Sequence, residues 1–480
     1  MKNNMMNQKI RGAPLMKALQ RLRELMSGTV LSITEDGYPA AREVWNAAVP
    51  HRPAIIACCA DAADVEAAVR VAVEHGLPLS VKAGGHDWAG RSLRHGGLVL
   101  DLSRMRKVTV VPFTRTAVVE GGATIGDLVH ACRPLGLTPV TGTVRTVGMS
   151  GLTLGGGYGP LAGKFGLALD NLLAAEVVLA DGRRVIADSD SEPDLFWALR
   201  GGGGNFGVVT RLTYRVHPID RVVAGLAVFP MRDARTVFRG YRELVHESPD
   251  ALTLQMGVLG TPAGPGLFLF PTWSGEQAAG ERLLGTLARL GTPLSHGMGP
   301  TAYEDLLATL DVFGGRGRHW ALRTRSVSAL TDDAEAVLLE AGKGLTSQIS
   351  AISVHHFHGA AARVPVEHTA FGLREKHLMV ELIAGWEPSA DDDGSRHRSW
   401  ADRTAQALGP HGLSGGYPNL LGPDEHTRAL AAFGRNLPRL LALKRRFDPD
   451  NLFASAIPAL REASGERGIR TLDTLSDMQV

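Results

Sequence analysis

The sequence predicts an α+β protein: a two-part first domain built around glycine-rich loops, followed by a domain with an antiparallel sheet. Three observations carry this. At 480 residues, 44% of them hydrophobic, the chain has room for two or three domains and a large core. Three glycine-rich stretches fall within residues 81–209, each beside a short apolar run that reads as a strand or helix. After His217-Pro218 the glycine clusters thin out, and apolar strands alternate with amphipathic helices.

Taken in order, Asp61 opens a helix whose Val65, Ala68, Val69, Ala72 and Val73 share a face, and Gly76 stops it. Residues 79–82 read as a strand leading into the first glycine-rich loop, and residues 98–102 and 116–120 as further strands. Residues 125–135 form a helix ended by Gly136. Residues 174–180 and 183–187 make a hairpin, because Asp181-Gly182 suits a type I′ turn. A short helix starts at Ser191-Glu-Pro-Asp194, where Pro193 falls in the first turn and its missing N–H costs little. A strand over residues 206–216 closes this region. Beyond it the pattern predicts strands at 222–229, 252–259, 267–270, 352–358 and 377–383, with helices at 234–245, 277–290 and 332–341. A last helix at 430–447 ends at Asp448-Pro449. The expected divisions are residues 1–218, 219–412, a C-terminal return at 413–462, and a disordered tail at 463–480.

Composition removes several classes. A net charge of +2 with no Lys/Arg run argues against nucleic-acid binding. The three cysteines, Cys58, Cys59 and Cys132, give neither a disulfide framework nor metal spacing. The N-terminus lacks an apolar signal core and no run is long enough to span a bilayer, so a soluble cytoplasmic protein, monomer or homodimer, is expected. Asp391-Asp-Asp393 reads as a solvated loop, and residues 311–320, glycine-rich and aromatic, as a lid loop.

The chemistry lies in the glycines. The first stretch, Val81-Lys-Ala-Gly-Gly-His-Asp-Trp-Ala-Gly90, sets His86 at the tip of a turn where successive N–H groups can nest around an anion such as a diphosphate. Gly148-Met-Ser-Gly-Leu-Thr-Leu-Gly-Gly-Gly-Tyr-Gly159 does not open a helix after a strand in the manner of a dinucleotide fingerprint. Arg200-Gly-Gly-Gly-Gly-Asn-Phe-Gly207 lacks the Gly-Lys-Ser/Thr of a nucleoside-triphosphate loop. A nicotinamide or triphosphate enzyme is the weaker reading.

These stretches resemble the vanillyl-alcohol oxidase superfamily, and within it the berberine-bridge-type FAD-linked oxidases. So do Asp170-Asn171, Asp194-Leu-Phe-Trp-Ala-Leu-Arg200 and Lys444-Arg-Arg-Phe-Asp-Pro-Asp-Asn-Leu-Phe453. The resemblance runs from about Trp45 to Ile457. It implies a two-part FAD domain, a substrate domain, and FAD bonded covalently to His86. It implies cofactor contacts from Lys82, Ala83, Gly84, Gly85 and Asp87, and from Thr146, Val147, Gly148, Gly151, Leu152, Gly156, Gly157 and Gly159. Asp170, Asn171, Gly207, Val208, Val209 and Asn451 complete the implied set. Many relatives add a second flavin link from a cysteine. Val144 stands at that place here, so a single link is expected, as in the hydroxynicotine oxidase and mitomycin radical oxidase branch. Val147 maps to the gate beside the flavin, and its small size implies access for O2 and hence an oxidase.

Tyr417 aligns with a tyrosine that is the base in alcohol-oxidising relatives, in a segment whose Asn419-Leu420 departs from the common Tyr-x-Asn-Tyr form; packing on the flavin ring is the other reading. Asn419 beside it is a candidate substrate contact. In Val354-His-His-Phe-His358, His356 and His358 share a strand face with His355 opposite. Substrate contact and ordinary strand histidines both stand, while a metal lacks a further ligand. The expected reaction removes hydride from a CH–OH or CH–NH carbon of an alkaloid-like amine, sugar or other small molecule and makes H2O2. The rival is a resistance protein that binds or reoxidises a toxic quinone.

Overall fold

A computed structural model describes residues 2–456 and Leu460, with side chains from Pro14 onward. The expected tail at 463–480 lies outside the described residues. The described residues form three sheets. The first runs Thr29–Ser32, Ile55–Cys58, Leu98–Asp101, Leu79–Lys82, with an antiparallel first pair and parallel pairs after it. Its strands Ile55–Cys58 and Leu98–Asp101 are buried throughout and so show no alternation to read. The helix Ala62–Glu74 packs on it; the Asp61 carboxylate caps that helix by accepting the Ala63 and Asp64 N–H groups.

The second sheet is antiparallel, in the order Val108–Val111, Thr116–Glu120, Val208–His217, Leu172–Val178, Arg184–Asp188, with Thr138–Pro139 at one end of Val208–His217. The third is a seven-stranded antiparallel sheet: Ser295–Ala302, Arg221–Pro230, Gly264–Trp273, Leu252–Thr261, Ala351–Phe357, His377–Trp386, His319–Val327. The α+β class therefore holds, and the change of style at residue 218 falls between the second and third sheets.

One face of the third sheet is covered by helices. Val237, Phe238, Leu287, Leu338 and Trp400 pack there against Leu254, Met256, Ile352, Val354, Val380 and Leu382. The opposite face of the same strands looks onto the glycine-rich loops. Period-two alternation thus hands one set of side chains to the core and the other to the site.

Some elements differ from expectation. His319–Val327 is a strand that the sequence hides, because its Arg323 and Arg325 reach out to Asp402, Asp424 and Glu425. The acidic run is an exposed loop, as expected, and it leads into a helix: Asp392 and Asp393 accept the N–H groups of Gly394 and Ser395, and Ser395–Ala407 follows. The last helix is two pieces, His426–Ala431 and Leu437–Phe447. A turn at Gly434 (φ 49°) separates them, and Pro438 lies in the first turn of the second. This C-terminal piece returns to the second sheet, burying Leu440, Leu443 and Phe447 with Leu195 and Phe206.

Candidate active site

Two glycine-rich loops meet backbone to backbone. A Cβ on Gly84 would lie 2.3 Å from the Gly148 nitrogen, and one on Gly148 would lie 2.5 Å from the Gly84 nitrogen, so each glycine is required by the other. They wall a cavity of about 520 Å3 that runs between all three sheets. Ala83, Gly84, Gly85, His86 and Asp87 line it from the first loop, and Val147, Gly148, Gly151 and Leu152 from the second. Gly207, Val208 and Val209 line it from the third, next to Gly203 and Gly204. At Gly151 and Gly204 a Cβ would meet nothing within 4 Å, so the space these glycines leave belongs to the cavity. Backbone amides around a space of this size suit a dinucleotide with a diphosphate.

His86 is half-buried at the tip of the first loop. Its ring stacks on Trp45 at 5.4 Å and 20°. Its Nε2 is 2.9 Å from the Thr146 hydroxyl, which itself donates to the Gly314 carbonyl at 3.2 Å. Desolvation, with a smaller contribution from the Arg316 charge, lowers its pKa to about 4. The imidazole is neutral at physiological pH and its position is set by Thr146 and Trp45. The expected lid loop reaches this point: Trp45 Nε1 donates to the Phe313 carbonyl at 2.8 Å, and Val312 and Phe313 line the cavity.

Val144 also faces the cavity, whereas Cys132 is buried in the core with its thiol pushed up to about 12 by desolvation. Cys58 and Cys59 are buried as well, and none of the three cysteines lines the cavity.

Tyr417 lines the cavity and is buried. Its hydroxyl oxygen accepts the Gly157 N–H at 2.9 Å and the Asn419 amide at 3.3 Å. Desolvation outweighs those bonds and raises the phenol above its usual value, so Tyr417 stays protonated at neutral pH, with no cation among its contacts to favour the phenolate. Asn419 also lines the cavity, with its amide donating to the Leu152 carbonyl at 3.0 Å.

Several expected contacts lie elsewhere for steric or electrostatic reasons. Lys82 is buried in an ion pair with Asp101 at 2.9 Å and donates to the Ala41 carbonyl. Gly156 and Gly159 are glycines because Cβ atoms there would strike the Tyr417 ring at 2.5 Å and the Thr141 carbonyl at 1.8 Å. Gly157 (φ 93°) supplies the N–H to Tyr417. Asp170 pairs with Arg374, and Asn171 bonds the Phe165 and Leu167 carbonyls and His217. Asn451 occupies a left-handed position (φ 52°) in the turn that Asp448 organises. That turn delivers Phe453 and Ser455 to the cavity.

His356 and His358 are corrected outright as substrate contacts. They are buried outside the cavity, stacked on each other at 3.8 Å, because His356 continues the Ile352–Val354 face toward the helices. The cavity face carries Ser353 and His355, with Glu381 on the next strand and Gln255 on the one before. His355 Nε2 lies 3.2 Å from a Glu381 oxygen and 3.1 Å from Ser353 Oγ, and Gln255 donates to Ser353 at 2.6 Å. Alternation contained this signal: Ile352 and Val354 mark the core face, so His355 must take the other.

Burial lowers the pKa of His86, His217 and His377 to about 4 and of His356 to about 3. In the unfolded chain these rings take protons near 6.5. Their contribution to stability is therefore whole above pH 6.5 and is lost as pH falls toward 4. The urea midpoint is expected to be clearly lower at pH 5 than at pH 7.5; equal midpoints would contradict this burial.

A family model described as an FAD binding domain matches residues 53–188, and one described as berberine and berberine-like matches residues 416–457. An FAD-linked oxidoreductase of Aspergillus terreus is 31% identical over 477 residues, 92% of this chain and 95% of that protein. The (R)-6-hydroxynicotine oxidase of Paenarthrobacter nicotinovorans is 29% identical over 89% of this chain and 95% of its own length. The crystal structure of 6-hydroxy-D-nicotine oxidase from Arthrobacter nicotinovorans superimposes with a TM-score of 0.80 at 27% identity, covering 90% of this chain and 97% of that one. No helix among the described residues is long and apolar enough to cross a membrane.

Proposed function

Because this chain belongs to the berberine-bridge-type FAD-linked oxidoreductases, we propose that it is an oxidase of a small molecule, taking hydride from a carbon that bears a hydroxyl or an amine. We further propose that its FAD is bonded once, through His86. The observation that carries this reading is a neutral imidazole, fixed by Thr146 and Trp45, on a glycine-walled cavity that Tyr417, His355 and Glu381 also line.

Bound there, FAD supplies a two-electron acceptor that O2 regenerates with release of H2O2. The backbone amides of the three glycine-rich loops would hold its diphosphate. His86 offers a ring nitrogen while Thr146 occupies Nε2, and Val144 in place of a cysteine leaves the link single. Val147, a small side chain on the cavity wall, leaves room for O2. Tyr417, held by the Gly157 N–H and the Asn419 amide, lines the cavity, and Trp45, Trp88 and Phe313 supply apolar wall that lessens the screening of polar contacts inside.

Acid precipitation of the purified protein is expected to leave a yellow pellet, and a panel of amines and alcohols to include compounds that give sustained peroxide release. A pellet without colour refutes the covalent link. Stoichiometric binding of a quinone drug, with no peroxide from any compound in the panel, favours the resistance reading instead.

A further inference from the structure

Resting on the oxidase reading above, we infer that the substrate presents a protonated amine on an apolar body, and that Glu381 is the residue that selects it. Glu381 stands mid-strand on the cavity face, level with Ser353 on one neighbouring strand and Thr324 on the other. One carboxylate oxygen engages His355; the other has no hydrogen-bond partner among the described residues. The polar strip it belongs to is short, ending at Gln255, and is flanked by Tyr158, Met379 and Ile383.

Charge makes the argument specific. Among the described residues no lysine or arginine lines this cavity. Asp87, the other acidic residue on the wall, is spent on Arg91 at 2.6 Å. Glu381 pairs through one oxygen with the His355 ring at 3.2 Å and keeps its second oxygen without a hydrogen bond among the described residues, in a half-buried position where a charge is screened less than in bulk water. An anionic substrate meets repulsion and no counter-ion. A neutral sugar would find hydroxyl partners in Gln255, Gln348, Ser350, Ser353 and Asn419 but would leave the carboxylate's charge uncompensated. An alkylammonium group satisfies the free carboxylate oxygen, while the rest of the molecule packs on the apolar wall.

The test uses three probes of one shape and different charge, 2-phenylethylamine, 2-phenylethanol and phenylacetate, titrated calorimetrically into the holoenzyme under argon at pH 7.5. The amine is expected to bind at least about tenfold more tightly than the alcohol, with phenylacetate weakest. Glu381→Gln is expected to remove most of the amine's advantage and leave the alcohol within about twofold, while Glu381→Asp keeps the preference in part. A ranking in which the amine does not exceed the alcohol overturns the inference, as does an undiminished preference in Glu381→Gln. Pellet colour and peroxide release are scored on the same preparation. A yellow, peroxide-forming enzyme with no charge preference defeats only this inference, whereas a colourless one defeats the oxidase reading beneath it.

Discussion

Replacing His86 by alanine is expected to move all of the flavin from the acid-precipitated pellet to the supernatant. The expectation follows from a short inventory of nucleophiles. The attacking group must be unprotonated, must reach the cavity, and must be held still. His86 meets all three conditions: its pKa is lowered to about 4, it lines the wall, and Trp45 and Thr146 fix its ring. The three cysteines are buried away from the cavity, and desolvation raises the pKa of each thiol. His355 lines the cavity but stands on the third sheet and is engaged with Glu381 and Ser353. His86→Ala leaves the Gly84–Gly148 contact untouched, so the variant still has the loops that hold FAD, now reversibly. Flavin fluorescence of the denatured band on a gel, against total flavin by absorbance, separates the two states. Covalent flavin persisting in His86→Ala would reassign the tether. A further variant, Thr146→Val, removes the partner of Nε2 while the Trp45 stack remains, and is expected to slow covalent loading without abolishing it.

How much of this was legible from residues alone depended on whether the signal was local. The glycine-rich loops read correctly as places of close backbone approach because a missing Cβ is a property of one residue. Which object approaches is not: Gly84 and Gly148 are empty for each other's backbone, Gly156 for the Tyr417 ring, and Gly151 and Gly204 for the cavity. The strands Leu252–Thr261 and His377–Trp386 were visible from alternation, since one face is core. Glu381 is the lone acid in the strand His377–Trp386, a contrast visible in the sequence, as is the placing of His355 on the face opposite His356 and His358. Stacking of His356 on His358 is a matter of packing that spacing cannot distinguish from a site. Asp170 shows the same limit: a motif position that resemblance assigns to the cofactor is held by Arg374, 204 residues away.

That pairing is the second place where one substitution should have a large effect. Arg374→Met is expected to destabilise the protein by about 3–5 kcal/mol, the usual cost of stranding one partner of a buried ion pair. Both side chains are nearly inaccessible, at 5% and 8%, and the guanidinium meets the carboxylate through two nitrogens at 2.9 and 2.8 Å. Arg374 also donates to the Ala361 carbonyl and the Thr369 hydroxyl, while Asp170 accepts the Leu167 N–H, so each partner is locked by its own segment. The pair therefore ties the turn Ala168–Asn171 behind the second glycine-rich loop to the chain entering the strand His377–Trp386. On that same chain Phe371 lies 6.4 Å from the Tyr417 ring, and His377 bonds the Tyr158 hydroxyl at 3.3 Å. Loss of the tie should thus reach the cavity wall: weaker substrate binding at temperatures where Arg374→Met is still folded, beside a lowered urea midpoint. Asp170→Asn combined with Arg374→Met removes the stranded charge and should recover part of the stability but not the cavity geometry. If the double variant were as unstable as the single, packing of the arginine stem rather than its charge would be holding the two segments together.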